Sequence, residues 1–451
     1  MGNIFRDYDI RGIYPDEINS LIAEKAGNAV ARFFNAKKII VGEDGRLSSS
    51  DLRNGLIRGI RKAGTDVVFI GRSTTPLFYY ASTSSKADAG IMITASHNPP
   101  QYNGLKIVGP GGAPVGLDTS LADIREIFDK ENFNIAKTEG RLTEQTDIVG
   151  EYVDFLIKTS DIKTGLPLKI VADAGNGVAS LVLKPLFEKL KIDYVPLFFE
   201  IDGNFPGRGP DPAKQGATEM LRGKVLERKA NMGVAFDGDA DRMTVVDERG
   251  DIVEPQYVLS VLWRNEKRLF GYPKVVYDLR FSKSAREFFG KYGVRSKVGH
   301  NHIRKTARDV GAELAGETSG HFYFRKLDYT ESVNLAFIKL LKVINKKPLS
   351  ELVSGLKKYS YSGNINIEIQ NKERADNILA ELGEKYKDGK QDFLDGLTVE
   401  YWDNRPKGER WWFNIRSSNT EPLLRLAVEA DTRRLMEEKQ EEITNKIKTA
   451  A

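Results

Sequence analysis

No cysteine occurs anywhere in the 451 residues, which rules out a disulfide framework and thiolate chemistry. Histidine is nearly as scarce, at four residues. A zinc site built on His300-Asn301-His302 therefore lacks partners, because two histidines and no cysteine remain to complete it. No apolar run approaches the roughly 18 residues of a membrane span. The opening Met1-Gly2-Asn3-Ile4-Phe5-Arg6 has no signal-peptide core and no hydroxyl at position 6 for myristoylation. Basic and acidic residues nearly balance, 68 against 63 for a net charge of +5, and no Lys/Arg block marks a nucleic-acid surface. A cytoplasmic protein without nucleic-acid or membrane partners is expected.

What is present is ordinary globular composition, 40% hydrophobic and 29% charged. The length suits about three or four domains, each able to bury its own core. Helical spacing over Ile18, Leu21, Ile22, Ala26, Val30 and Phe33 precedes a strand at Lys38–Gly42. Ser50 is expected to cap a helix that ends at Gly64, before the strand Val67–Ile70. Strands are also expected at Leu168–Ala172, Met232–Phe236, Thr244–Val246, Val275–Tyr277 and Arg295–Val298. Polar residues near 130–150 suggest a link between units. Beyond residue 364 the character changes. Asn364–Gln370 alternates as a half-exposed antiparallel strand does, Trp411–Ile415 and Leu424–Val428 are further strands, and an amphipathic helix closes the chain.

The chemistry concentrates in a few loops. The buried run Gly90-Ile91-Met92-Ile93 reads as a parallel strand and stops at Thr94-Ala95-Ser96-His97-Asn98-Pro99-Pro100, where the prolines forbid helix. Ser96 would sit at a strand's carboxyl end, where open α/β sheets bind ligands. It reads either as a phosphoryl carrier or as an ordinary capping serine. The strand Met232–Phe236 leads to Asp237-Gly238-Asp239-Ala240-Asp241-Arg242. Alternate residues of an extended loop point the same way, so the three carboxylates can converge on one hard cation. An EF-hand reading fails, because Arg242 replaces the required glycine and strands flank the loop. Magnesium is favoured over calcium, a solvated acidic turn being the alternative. Asp173-Ala174-Gly175-Asn176-Gly177 lacks the third glycine of a dinucleotide fingerprint and reads as a tight turn. Gly316-Glu317-Thr318-Ser319-Gly320-His321 offers groups suited to sugar hydroxyls. Arg416-Ser417-Ser418-Asn419-Thr420-Glu421-Pro422 with Arg425 reads as an anion cradle or a plain hairpin loop.

In this order, together with Asp9-Ile10-Arg11-Gly12, Asp202-Gly203-Asn204-Phe205-Pro206 and Pro210-Asp211-Pro212, these loops resemble the α-D-phosphohexomutase superfamily. The likeness is to its bacterial and archaeal phosphomannomutase/phosphoglucomutase branch and covers the whole chain. It implies an α/β protein of four domains around a central cleft. Three are similar α/β domains, with a mixed sheet between helices, at 1–148, 149–252 and 253–358. A smaller α+β domain with an antiparallel sheet follows at 359–451.

The resemblance also implies a reaction, exchange of hexose 1-phosphate and hexose 6-phosphate through phosphoserine Ser96 and a hexose 1,6-bisphosphate intermediate and activator. Mg²⁺ would be held by Ser96, Asp237, Asp239 and Asp241. Arg11, Arg242, His97 and Lys106 would surround the phosphate, with His97 and Lys106 the candidates for general acid or base. Glu317 and Ser319 would grip ring hydroxyls beside His321. Arg416, Ser418, Asn419, Thr420 and Arg425 would hold the other phosphate, with Arg280 and His300 assisting. Separating that clamp from the serine implies closure of the fourth domain. Asn419 favours mannose and glucose phosphates over glucosamine phosphate, whereas Thr318 settles nothing. Ser417 replaces a common proline, and Gly207-Arg208-Gly209 lacks the histidines usual before Pro-Asp-Pro. Broad substrate use by a monomer or homodimer is expected. Phosphoglucosamine mutase and phosphoserine-dependent sugar phosphatase are the alternative activities. A non-catalytic sugar-phosphate-binding protein would need neither Ser96 nor the aspartates.

Overall fold

The computed structural model describes residues 4–450 apart from 118, 146, 371 and 418–422. Three sheets of mixed direction and a fourth, antiparallel one follow each other along the chain. Short β-branched and apolar runs make the central strands. Ala89–Ile93 and Met232–Phe236 are buried along their whole length, as strands covered on both faces by helices must be.

The first three sheets repeat one device. Ala89–Ile93 runs parallel to Lys38–Glu43 and then turns back antiparallel as Tyr102–Val108. Met232–Phe236 runs parallel to Lys169–Asp173 and turns back as Met243–Asp247. Leu314–Gly316 runs parallel to Val275–Asp278 and turns back as Phe322–Phe324. The serine, aspartate and Gly316–His321 loops occupy the same place in each sheet, at the carboxyl end of a central strand. The stretch from Thr94 to Lys106 is thus a loop only in its first half, and Lys106 lies on the returning strand.

Two local expectations shift. The helix Ser49–Lys62 begins after Ser48, and Ser50 lies within its first turn instead of capping it. The Ser49 hydroxyl is drawn to Asp44 Oδ1 at 2.8 Å. The strand placed at 295–298 is Gly293–Ser296. Val298 leaves the sheet and donates its N–H to Asp395 Oδ2 at 3.0 Å.

One apolar core runs through the first three domains, joining Phe78, Tyr152, Leu156, Phe187 and Phe337. The fourth domain has its own core, including Ile378, Leu397, Phe413, Leu426 and Ile443. Its sheet order is Ser360–Tyr361, Leu423–Ala430, Trp411–Ser417, Leu397–Tyr401 and Lys390–Asp392, with Ile365–Glu368 also paired to Leu423–Ala430. A polar seam joins it to the third domain. Glu429 accepts the Ser282 hydroxyl, the Lys283 N–H at 2.6 Å and the Trp412 indole N–H at 2.6 Å. Glu400 pairs with Arg286 at 2.5 Å and Lys283 at 3.2 Å. No helix among the described residues is long and apolar enough to cross a membrane.

Glu400 gives this seam a pH signature. Burial, the largest influence, pushes its carboxyl up, but Arg286 and Lys283 together bring it from 4.5 down to about 2. A carboxylate depressed on folding stabilises above its unfolded pKa, and the stabilisation disappears as pH falls through the folded one. Between about pH 5 and 2 the native protein should lose about 3 kcal/mol that Glu400→Gln already lacks. Denaturant titrations read by tryptophan fluorescence test this, because Trp402, Trp411 and Trp412 all lie in the fourth domain. Equal acid slopes in the two proteins would refute it.

Candidate active site

Ser96 lies three residues beyond the end of Ala89–Ile93, the central strand of the first sheet. Its backbone is left-handed, with φ at 49°, and its side chain is buried. The N–H of Ser96 donates to Thr94 Oγ1 at 2.8 Å. Its hydroxyl donates to Asp237 Oδ2 at 2.7 Å and lies 3.3 Å from His97 Nδ1. The serine loop of one domain and the aspartate loop of the next therefore meet at the Ser96 hydroxyl. Glycine makes the approach feasible. A Cβ on Gly238 would stand 2.6 Å from the Ser96 carbonyl oxygen, and one on Gly177 2.5 Å from the Gly238 carbonyl oxygen. The Asp173–Gly177 turn accordingly packs beneath the aspartate loop.

The carboxylates of Asp237, Asp239 and Asp241 converge within 4.8 Å of one another, all buried. Asp237 Oδ1 accepts the N–H groups of Asp241 and Arg242, each at 3.0 Å. Asp239 Oδ2 accepts Thr75 Oγ1 at 2.7 Å and Lys106 Nζ at 2.9 Å, and Lys106 also pairs with Asp241. Asp239 Oδ1 is buried with no hydrogen-bond partner. Three carboxylates and a hydroxyl form an all-oxygen donor set suited to a hard divalent cation. Glu248, which an EF-hand would need as a ligand, bonds Ser350 instead.

A cleft of about 730 Å³ opens over these groups, lined from all four domains. The first domain contributes Arg11, Ser96, His97 and Lys106, and the second Arg208, Asp241 and Arg242. His300, Glu317, Ser319 and His321 come from the third, and Arg416 and Arg425 from the fourth. Arg11 donates to Asn98 Oδ1 at 2.7 Å and pairs with Asp9. Glu317 is held by the Tyr323 hydroxyl and by the Gly299 N–H at 3.3 Å. Ser319 Oγ lies 2.8 Å from His321 Nδ1, whose other nitrogen is 3.3 Å from Asp241 Oδ1. His300 packs its ring on Tyr8 at 4.7 Å. Arg416 and Arg425 face each other across adjacent strands. Ser418, Asn419 and Thr420 lie outside the described residues.

Profiles of the phosphoglucomutase/phosphomannomutase family match the chain four times. Its alpha/beta/alpha domains I, II and III match residues 2–135, 150–250 and 254–359, and its C-terminal domain matches 365–446. The chain belongs to the phosphoglucomutase/phosphomannomutase family. A phosphomannomutase of Methanocaldococcus jannaschii is 37% identical over 98% of this chain and 97% of that protein. A phosphohexose mutase of Xanthomonas campestris is 34% identical over 98% of each. A phosphoglucomutase/phosphomannomutase family protein of Burkholderia thailandensis has the same fold, with a TM-score of 0.88 and 31% identity over 99% of this chain and 97% of that one.

Arg280, expected to assist at the second phosphate, is not among the residues that line the cleft. Arg280 is buried and locked in a two-pronged pair with Asp278, both contacts at 2.9 Å. Asp278 also accepts the Thr318 N–H at 2.7 Å and hydroxyl at 3.0 Å. Arg280 and Thr318 thus share a carboxylate that anchors the Gly316–His321 loop. Arg208 donates to Asp173 at 2.9 Å and to the Phe236 carbonyl at 2.6 Å. Sequence reasoning missed Arg46, Thr75, Asp278 and Tyr323. Asp44-Gly45-Arg46 could have been noticed, because it too follows a buried central strand.

The charges are mutually dependent. Burial, then Asp241 and Asp239, push the Asp237 carboxyl well up. Burial, the largest influence on Lys106, pushes it down, but Asp239 and Asp241 carry it well above the ordinary lysine value. Burial, with Arg242 and Arg11, pushes His97 well below the ordinary imidazole value, so it is neutral at pH 7. Removing one partner of a buried pair costs about 3–5 kcal/mol. Lys106→Met should lose about that much stability in EDTA and regain more than the native protein when Mg²⁺ is added. Melting curves with and without Mg²⁺ check this, and equal responses would mean that Lys106 does not neutralise the triad.

Proposed function

We propose that this phosphohexomutase interconverts hexose 1-phosphates and hexose 6-phosphates, with mannose and glucose phosphates as substrates ahead of glucosamine phosphate. The observation that carries the reading is the meeting of Ser96 Oγ with Asp237 Oδ2 at 2.7 Å, beneath a cleft lined from four domains. A lone sugar-phosphate clamp would need neither group.

Ser96 is proposed to carry a phosphoryl group in the resting enzyme. The free O1 or O6 hydroxyl of a bound hexose phosphate attacks phosphorus, the bond to Ser96 Oγ breaks, and a hexose 1,6-bisphosphate results. The sugar turns within the cleft and presents its other phosphate. Ser96 Oγ attacks it, and the sugar leaves with its phosphate shifted between carbons 1 and 6.

Asp237, Asp239, Asp241 and Ser96 would hold Mg²⁺, which when bound neutralises charge on the transferring phosphoryl group. Arg11 and Arg242 add positive charge beside it. His97, neutral and 3.3 Å from Ser96 Oγ, is suited to take the serine proton when phosphate returns. Lys106 is held as an ammonium ion, which suits charge neutralisation better than proton removal. Glu317 and Ser319 are proposed to grip two ring hydroxyls, and a near-symmetric grip permits both orientations of the sugar. Arg416, Arg425 and His300, with Ser418, Asn419 and Thr420, are assigned to the non-reacting phosphate. A separate core and a polar seam suit the fourth domain to closure over the substrate, which excludes water from the phosphoserine. The cytoplasm is the proposed compartment and a monomer or homodimer the proposed state.

Phosphorus NMR tests this with Mg²⁺, a trace of glucose 1,6-bisphosphate, and mannose, glucose or glucosamine 1-phosphate. The expected result is a 6-phosphate signal that Ser96→Ala abolishes, strongest for mannose and glucose. Inorganic phosphate as the sole product would make the chain a phosphatase.

A further inference from the structure

Arg46 belongs to none of the groups assigned above to substrate or cation. It is nonetheless 3% exposed and lies under the serine loop with every donor engaged. Its Nη1 donates to the carbonyls of Pro99 at 2.8 Å and Tyr102 at 3.0 Å. Its Nη2 donates to the carbonyls of Ser96 at 2.8 Å and Asn98 at 2.7 Å. The remaining Nε–H goes to Asp44 Oδ2 at 3.1 Å. Asp44 Oδ1 in turn accepts the N–H of Arg46 at 2.9 Å and the Ser49 hydroxyl at 2.8 Å, so the arginine's own anchor is fixed. All five guanidinium donors are thereby spent, four of them on carbonyls of one loop. The flat face of the guanidinium meets the ring of Phe205 from the second domain, 5.2 Å from its centroid.

The loop needs such a template. A left-handed backbone is uncommon for serine, and a strained conformation persists only where its surroundings over-determine it. Thr94 fixes the N–H of Ser96 and Arg46 fixes its carbonyl oxygen, so both neighbouring peptide planes are held. With them the direction of Cβ and Oγ is set toward Asp237. Lysine offers three donors on a flexible stem and cannot span four carbonyls in a plane.

We propose that Arg46 is a positioning residue for phosphoryl transfer. It holds the Ser96 peptide in the conformation that aims Oγ at the aspartate turn, and Phe205 braces it from the neighbouring domain. This assignment rests on the phosphoserine reading above. It also gives the Asp202–Pro206 segment a task, which is to bring an aromatic ring against the underside of the serine loop. The sugar and phosphate grips lie on other loops, so the loss on changing Arg46 falls on kcat and leaves KM nearly untouched.

The experiment compares native protein, Arg46→Lys, Arg46→Ala, Phe205→Leu and Ser96→Ala. It measures the single-turnover rate of Ser96 phosphorylation by glucose 1,6-bisphosphate, together with kcat, KM and the folded fraction from circular dichroism. Misplacement by about 1 Å can cost about 100-fold in rate. Arg46→Lys and Arg46→Ala are expected to phosphorylate about 100-fold more slowly per folded molecule, with KM changed by less than about threefold. Millimolar guanidinium should restore part of the rate to Arg46→Ala and none to Arg46→Lys. Phe205→Leu, which keeps every hydrogen bond of Arg46, should show a smaller loss in the same rate. Native-like phosphorylation in Arg46→Lys overturns the proposal. So does a loss that vanishes once rates are divided by the folded fraction, or one confined to KM. A native protein that takes no phosphate, or a Ser96→Ala variant that does, sinks the phosphoserine reading itself and is read separately.

Discussion

Three carboxylates within 4.8 Å of one another in a buried turn form a concentration of negative charge that the chain must balance. The compensation comes from across a domain boundary. Lys106 lies on the strand returning from the serine loop, and Thr75 opens a helix of the same first domain. Ser96 donates its hydroxyl to the same cluster. The contacts that make the buried acids tolerable are therefore the ones that bring the Ser96 hydroxyl to them. Interface and active site are a single electrostatic arrangement. A metal ion arriving there meets oxygen donors already converged, among them Asp239 Oδ1, which has no hydrogen-bond partner.

Repetition explains how one chain assembles several functions in one cleft. Each of the first three sheets sends a parallel central strand to its carboxyl end and returns it antiparallel. The three turns carry different side chains, a serine with a histidine, a run of aspartates, and a glutamate with a serine and a histidine. A shared core through the three domains keeps these turns in fixed relation. The fourth domain is attached differently. Glu429 and Glu400 receive donors and cations from the short helix Lys283–Phe289 and its cap, and burial pushes the Glu429 carboxyl up even as three donors surround it. Such a seam permits rotation more readily than a continuous apolar interface.

Arginine does much of the unseen positioning. Arg46 templates the serine loop, Arg208 ties Asp173 to the carbonyl preceding the aspartate turn, and Arg280 orders the carboxylate that supports Thr318. Each is a planar fork matched to several oxygens at once, a geometry that lysine does not offer.

The sequence by itself determined which strands are central, because burial on both faces demands continuous apolar runs such as Gly90–Ile93 and Met232–Phe236. It also determined where the polar loops interrupt them, because proline, glycine and clustered acids cannot continue a strand. Family membership was legible for the same reason, since the reactive side chains sit in short contiguous motifs. Tertiary structure alone decided how those motifs meet. That Lys106 pairs with Asp239 and Asp241, that Thr318 donates to Asp278, and that Tyr323 holds Glu317 depend on partners distant in sequence or on separate segments of one domain. Local patterning carries no record of such contacts. A hydrogen bond between distant residues becomes definite only when the sheets carrying them have packed.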